Sequence, residues 1–211
     1  MSILEKFLHL VFPSGCVYCG RLSDDRVHGF CKECYNSLSI FLRKTDFTWY
    51  IFDYDKKIAK ILQRAKYGGK PGAVKVMAGL LGEFLKEKSI KADLVIPVPM
   101  YKKDLGERGY NQSRIAAGKI ARVIESPCKD RALTKIKRTK RQADLSKSAR
   151  GSNLSGAFSA DVHIVKDKVI LLVDDIITTG STLIECRNTL LEAGAKSVEA
   201  AVIAHTPLKK K

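Results

Sequence analysis

The stretch Val169-Ile-Leu-Leu-Val-Asp174-Asp175-Ile-Ile177-Thr178-Thr179-Gly180-Ser181-Thr182 decides the reading of this chain. Val169 to Val173 is an unbroken run of β-branched and leucine residues, the pattern of a strand buried on both faces of a parallel sheet. Ligands of such sheets bind beyond the carboxyl ends of the strands. There the sequence sets two carboxylates, Asp174 and Asp175, followed by a short turn rich in hydroxyls. A helix expected from about Ser181 to Ala193 would begin in that turn, with its amides and positive dipole end facing outward. Thr178, Thr179, Ser181 and Thr182 add hydroxyl donors, and Gly180 lets the backbone approach a ligand. Such a turn is a nest for one phosphate. The two carboxylates would repel that phosphate, so their partners must be neutral hydroxyls or a magnesium ion. The bland alternative is a turn whose hydroxyls only cap the helix, but capping needs one such residue and not four. A nucleoside triphosphatase would also end a strand in acids, yet it needs a Gly-x-x-x-x-Gly-Lys-Ser/Thr loop, and the chain has none.

Outward from this motif, the pattern alternates between periods of two and 3.6. Val74, Met77, Ala78, Leu81, Phe84 and Leu85 form one helical stripe, predicting a helix from about Ala73 to Lys88. Leu94 to Val98 reads as a short strand ended by Pro97 and Pro99. Ile115, Ala116, Ile120, Val123 and Ile124 mark a second helix, and Ala200 to Ala204 another buried strand. Strands alternating with helices predict an α/β fold with a parallel sheet covered on both sides.

Four of the six cysteines form two pairs, Cys16-x-x-Cys19 and Cys31-x-x-Cys34. Two such turns can supply a closed tetrahedral shell of thiolates for a structural zinc ion. Disulfides or a redox pair are the alternatives. A reducing cytosol disfavours the first, and a thioredoxin-type pair needs a βαβ context that is missing around these cysteines. The expected division is therefore a zinc module over 1–48 and an α/β domain over 49–211. Cys128 and Cys186 are left over, and Cys186 lies on a helix face with Leu183 and Leu190, a core position.

The 211 residues carry a net charge of +16, with 38 basic residues against 22 acids. Such an excess favours polyanions. It is concentrated between Lys129 and Arg150, which hold nine basic residues and two acids. Here the alternative is a solvated loop. No apolar run approaches the roughly 20 residues of a membrane span. Ile3, Leu4, Phe7, Leu8 and Val11 fit one face of an N-terminal helix, and no cleavage site follows. This reads as a packing helix of a cytoplasmic protein; the alternative, a surface anchor, would put the chain at the inner face of the membrane.

Residues 170–182 resemble the signature of type I phosphoribosyltransferases. More of the chain resembles one branch of these, the ComF family of late competence proteins. The paired cysteines are followed in order by Ala65-Lys66-Tyr67-Gly68-Gly69, Val95-Ile-Pro97-Val-Pro99, Glu107-Arg108-Gly109-Tyr110-Asn111-Gln112, Arg138-Thr-Lys-Arg-Gln142 and Arg150-Gly-Ser-Asn153-Leu-Ser-Gly156-Ala-Phe158. The resemblance implies the type I phosphoribosyltransferase fold and phosphoribosyl pyrophosphate as ligand. It implies that Asp174 and Asp175 hold the ribose hydroxyls, that Thr178, Thr179, Gly180, Ser181 and Thr182 hold the 5-phosphate, and that Ile177 belongs to the same binding set. It also places a pyrophosphate loop at Met100 to Arg108, where Lys102, Lys103 and Arg108 suit a magnesium-bridged diphosphate. Lys137 to Arg150 resembles the loop that closes over such sites. The implied chemistry is displacement of pyrophosphate at the anomeric carbon, but no catalytic base is evident. ComF proteins are associated with uptake of single-stranded DNA, which suits the charge. Lys137, Arg138, Lys140 and Arg141 are the expected phosphate contacts; Tyr101, Tyr110 and Phe158 are candidate stacking residues, with core packing the alternative for each and the favoured one for Phe158. A competence helicase or translocase and a second copy of the chain are candidate protein partners. The rival function is a metabolic phosphoribosyltransferase with no DNA role.

Overall fold

The computed structural model describes residues 15–22, 26–38, 40–67, 72–138 and 156–206. The expected N-terminal helix falls outside them, as do Lys140 and Arg141. The centre is a five-stranded sheet of β3 (Arg43–Thr45), β4 (Thr48–Asp53), β9 (Ser197–His205), β8 (Val169–Ile177) and β5 (Leu94–Pro97), in that spatial order. β4, β9, β8 and β5 run parallel, and β3 is an antiparallel edge. This is the mostly parallel α/β architecture the strand and helix pattern predicts. The sheet begins at Arg43, inside the stretch expected to belong to the cysteine module.

Every strand of the parallel core buries both faces, so each residue type alternates between two apolar layers. Leu171, Val173, Ala201 and Ile203 face one layer, with helices α2 (Lys56–Tyr67), α3 (Gly72–Glu87) and α5 (Gln112–Val123) packed on it. Ile58, Ile61, Leu62, Met77, Leu81, Leu85 and Ile120 are its largest fully buried aliphatics outside the sheet. Ile170, Leu172, Ala200 and Val202 face the opposite layer, against Leu183, Cys186 and Leu190 of helix α7 (Ser181–Glu192), which follows the single turn of α6 (Val162–Val165). Each fully buried aliphatic side chain contributes roughly 1.5–3 kcal/mol. Cys186 is thus a core residue, as its helix face predicts.

Two features depart from the expected pattern. β8 runs on to Ile177 instead of ending at Val173, because β9 keeps offering it backbone partners as far as His205. Residues 102–108 form a short helix, α4 (Lys102–Arg108), where a loop is expected; it ends in a left-handed Gly109 whose amide donates to the Leu105 carbonyl at 2.8 Å.

The cysteine module is a small hairpin, β1 (Arg26–Val27) and β2 (Phe30–Cys31), followed by helix α1 (Lys32–Ser37). It is welded to the sheet domain: Phe30 is fully buried and its ring meets Phe52 at 6.5 Å. The turn residue Gly29 has φ +82, and a Cβ there would lie 2.8 Å from Val76 of α3. Glycine satisfies both the left-handed backbone and the close approach. Across the same contact His28 Nδ1 and Glu83 of α3 are 2.8 Å apart. Among the described residues, no helix is long and apolar enough to cross a membrane.

Candidate functional site

The carboxyl end of β8 has one paired side and one open side. Its ladder with β5 stops at Pro97 opposite Val173, whereas its ladder with β9 continues to Ile177 opposite His205. Asp174 and Asp175 therefore lie where the β5 neighbour has ended, in the crevice that parallel sheets use for ligands. The N-terminus of α5 fills part of that opening. Ser113 Oγ donates to Asp174 Oδ1 at 2.7 Å, and the Asp175 amide donates to the same oxygen at 2.9 Å. The Asp175 side chain accepts from the Ile176 amide at 2.9 Å. A hydroxyl and two backbone amides thus fix the orientation of the two carboxylates.

The turn Thr178–Gly180 leads into α7. Gly180 is the N-cap, with φ +77, and has no side chain to offer the first-turn amides. The hydroxyls of this segment do not stand at the capping position, which argues against the bland reading of the turn. Thr179 Oγ1 and Ser181 Oγ lie 3.1 Å apart, so two hydroxyls meet at the helix mouth. Thr178 and Thr179 are exposed, and Ser181 and Thr182 are half-buried. A twelve-residue helix directs its positive dipole end and first amides here, a surface suited to an anion.

Two elements flank this centre. α4 carries Lys102 and Lys103, both exposed, and ends at Arg108, of which only the backbone is described. The ribbon of β6 (Leu133–Lys135) and β7 (Phe158–Ala160) forms the stem of the basic segment, with Lys135 opposite Phe158. Both ends of the segment are tied to the site's walls. Arg138 Nη2 lies 2.9 Å from Asp104 and 3.3 Å from Glu107 on α4, and the Gly156 amide donates to Glu185 Oε1 on α7 at 2.9 Å. Burial lowers the pKa of Lys135, against the pull of Asp104 and Cys186. Burial also pushes the Cys186 thiol well above its ordinary value, and the Asp174 charge acts the same way.

Of the four residues expected to meet DNA, Lys137 and Arg138 are described and exposed at the stem. Arg138 is ion-paired to two acids. Phe158 is 5% exposed and packs in the core, so it offers no face to a base; Tyr101 and Tyr110 are half-buried. Asn111 and Ser113 are the site residues that sequence reasoning missed. An Asn immediately before an apolar helical stripe is an N-cap signal that could have found Asn111. Nothing local marks Ser113, whose partner is 61 residues away.

The Sγ atoms of Cys16, Cys19, Cys31 and Cys34 all lie within 4.8 Å of one another, and none is in a disulfide. Zinc–sulfur bonds of about 2.3 Å give a tetrahedron with edges of about 3.8 Å. The Cys19 and Cys31 sulfurs are 3.8 Å apart. The Arg21 amide approaches Cys19 Sγ at 3.5 Å. Burial opposes ionisation of Cys16, yet hydrogen bonds from the Cys19, Cys31 and Tyr18 backbones outweigh it and bring the thiol to about 6. Burial and the neighbouring thiols push Cys34 upward. The mutual approach of the four sulfurs is compatible with a structural zinc site.

Residues 111–211 match the phosphoribosyl transferase domain. The chain is 29% identical to competence protein F of Haemophilus influenzae, over 86% of this chain and 82% of that protein. It is 26% identical to the DNA utilization protein YhgH of Escherichia coli K12, over 90% of this chain and 84% of the relative. Competence protein ComFC of Bacillus subtilis is also 26% identical, over 85% of this chain and 72% of its own length. These similarities extend well beyond the matched domain into the first half of the chain, and with the paired cysteines they bear out its resemblance to the ComF family.

Proposed function

We propose that the chain binds phosphoribosyl pyrophosphate with magnesium at the carboxyl end of β8, and serves natural transformation by handling single-stranded DNA. The observation that carries the first half is the pairing of two donor-held acids with a hydroxyl-lined, glycine-capped helix mouth one turn away. In this reading Asp174 and Asp175 hold the ribose hydroxyls. The segment from Thr178 to Thr182 holds the 5-phosphate. Lys102, Lys103 and Arg108 flank the diphosphate, and magnesium neutralises its charge. Attack of an acceptor nucleophile on the anomeric carbon would form the new glycosidic bond as the carbon–oxygen bond to pyrophosphate breaks, with the proton of the acceptor passing to solvent. Zinc, held by Cys16, Cys19, Cys31 and Cys34, is structural.

The DNA half rests on the names of the relatives, two competence proteins and a DNA utilization protein, and on the net charge of +16. Lys137, Arg138, Lys140 and Arg141 supply phosphate contacts that read no sequence. Two measurements test the proposal. Titration with phosphoribosyl pyrophosphate and magnesium should show saturable binding at one site per chain; no heat and no retention would end the ligand assignment. Binding of a single-stranded oligonucleotide should weaken with salt, log K falling by about 0.7 per neutralised phosphate for each tenfold rise. Alanine at the four basic residues should flatten that slope by roughly two to three units. An unchanged slope would move the DNA surface elsewhere. Pyrophosphate release in the presence of candidate acceptors separates a transferase from a protein that uses the ligand as a regulator.

A further inference from the structure

Asp174 sits in a closed circuit of hydrogen bonds that crosses three elements. The Val98 amide donates to the carbonyl of Val173 at 2.8 Å, joining the end of β5 to β8. Asn111 Nδ2 donates to the carbonyl of the same Val98 at 3.0 Å. Asn111 Oδ1 accepts from the Ser113 amide at 3.0 Å, capping α5. Ser113 Oγ donates to Asp174 Oδ1 at 2.7 Å, and Asp174 follows Val173 in the chain. The circuit is buried where it matters, since Ser113 is 5% exposed. Each link removes a freedom that Asp174 would otherwise keep: the cap fixes the first turn of α5, the amide of Asn111 fixes that turn against β5, and the hydroxyl fixes the carboxylate.

We infer that Asn111 and Ser113 are positioning residues that preset the Asp174 carboxylate for the ribose of phosphoribosyl pyrophosphate, without touching the ligand themselves. The inference rests on the proposed role of Asp174. Its physical content is preorganisation: a carboxylate already held in its binding rotamer loses little entropy when a ligand hydroxyl arrives. A hydroxyl donating to a carboxylate is the stronger kind of hydrogen bond. The two residues act in series, because Ser113 reaches Asp174 only if Asn111 holds the turn in place.

The test is titration of the full chain with phosphoribosyl pyrophosphate and magnesium, alongside thermal unfolding. Ser113→Ala should weaken binding by roughly tenfold or more, the effect of losing one charged hydrogen bond. Ser113→Thr, which restores the hydroxyl, should bring affinity back to within about threefold, a rescue that a packing role would not give. Asn111→Ala combined with Ser113→Ala should bind no more weakly than the worse single variant, because serial links are non-additive. Multiplying losses would overturn the inference, as would normal binding by a folded Ser113→Ala chain or failure of the threonine rescue. Should Ser113→Ala not fold, Ser113→Cys keeps the size with a poor donor, and unimpaired binding by it would overturn the inference equally. Asp174→Asn separates the two levels. If that variant binds normally, the proposed role of Asp174 itself fails; if it loses binding while Ser113→Ala does not, only the positioning role fails.

Discussion

At the cysteine cluster, four sulfurs from one short stretch lie within 4.8 Å of each other; at the end of β8, the groups come from β5, α4, α5, β8 and α7 and stay distributed around an opening. The first arrangement converges on a point: Cys16, Cys31 and Cys34 are buried and Cys19 is exposed, and the hairpin that ends in Cys31 leans on Phe52 and Val76. The second is held by the sheet, with its acids half-buried at a strand end and the hydroxyls of Thr178 and Thr179 exposed. A closed shell stores its energy in the fold, whereas an open array leaves its energy for a ligand. Damage to the first should therefore cost stability and damage to the second affinity, and each substitution below tests that separation.

The largest effect is expected at the module. Cys31→Ser removes one of the four sulfurs that would hold zinc in the proposed site, and structural zinc sites contribute on the order of 10–16 kcal/mol of apparent binding free energy. The variant should lose its metal by elemental analysis, unfold at a markedly lower temperature and become protease-sensitive, since Phe30 is fully buried against the sheet domain. A metal-free wild-type protein of normal stability would break the comparison. Gly29→Ala should come next, costing about 2–4 kcal/mol of stability from the left-handed backbone and the 2.8 Å approach to Val76. Its ligand affinity should be nearly unchanged when measured well below the melting temperature.

Gly180→Ala probes the open array with a comparable backbone change. Its φ of +77 makes a Cβ cost about 1–2 kcal/mol, while the space around it is open enough for ordinary contacts with Ile177. Here the loss should appear in affinity as well, about tenfold, because the turn that receives the phosphate relaxes. An affinity unchanged within twofold would show that the turn is structural only. The smallest effect is expected for Arg138→Ala. Arg138 is 47% exposed, and exposed ion pairs contribute about 0–1 kcal/mol, so thermal unfolding should barely move.

The two regions also differ in how far they can be read from sequence. The cysteine spacing and the run Val169 to Val173 are local patterns, and each meets its expected structure. The helical stripes beginning at Val74 and Ile115 and the strands at Leu94 and Ala200 do as well, to within a few residues. β4 carries an aromatic strand signal in Thr48-Trp49-Tyr50-Ile51-Phe52, and Ile58, Ile61 and Leu62 mark α2; both were legible in principle. The extension of β8 to Ile177 was not, because it depends on β9 outlasting β5 as a neighbour. Nor was the Ser113–Asp174 bond, which joins residues 61 apart through the placement of two helices and three strands. Local chemistry is visible in a sequence; a bond made by topology becomes visible only with the fold.

The central claim is that the acids at the open end of β8 bind phosphoribosyl pyrophosphate while contributing little to the fold. Calorimetric titration of Asp174→Asn with Asp175→Asn, beside the wild-type chain, tests it most directly. Charged hydrogen bonds contribute roughly 1.5–3 kcal/mol each, so the double variant should bind at least about a hundredfold more weakly. Its metal content and unfolding temperature should stay close to those of the wild type. A folded double variant with wild-type affinity would contradict the account.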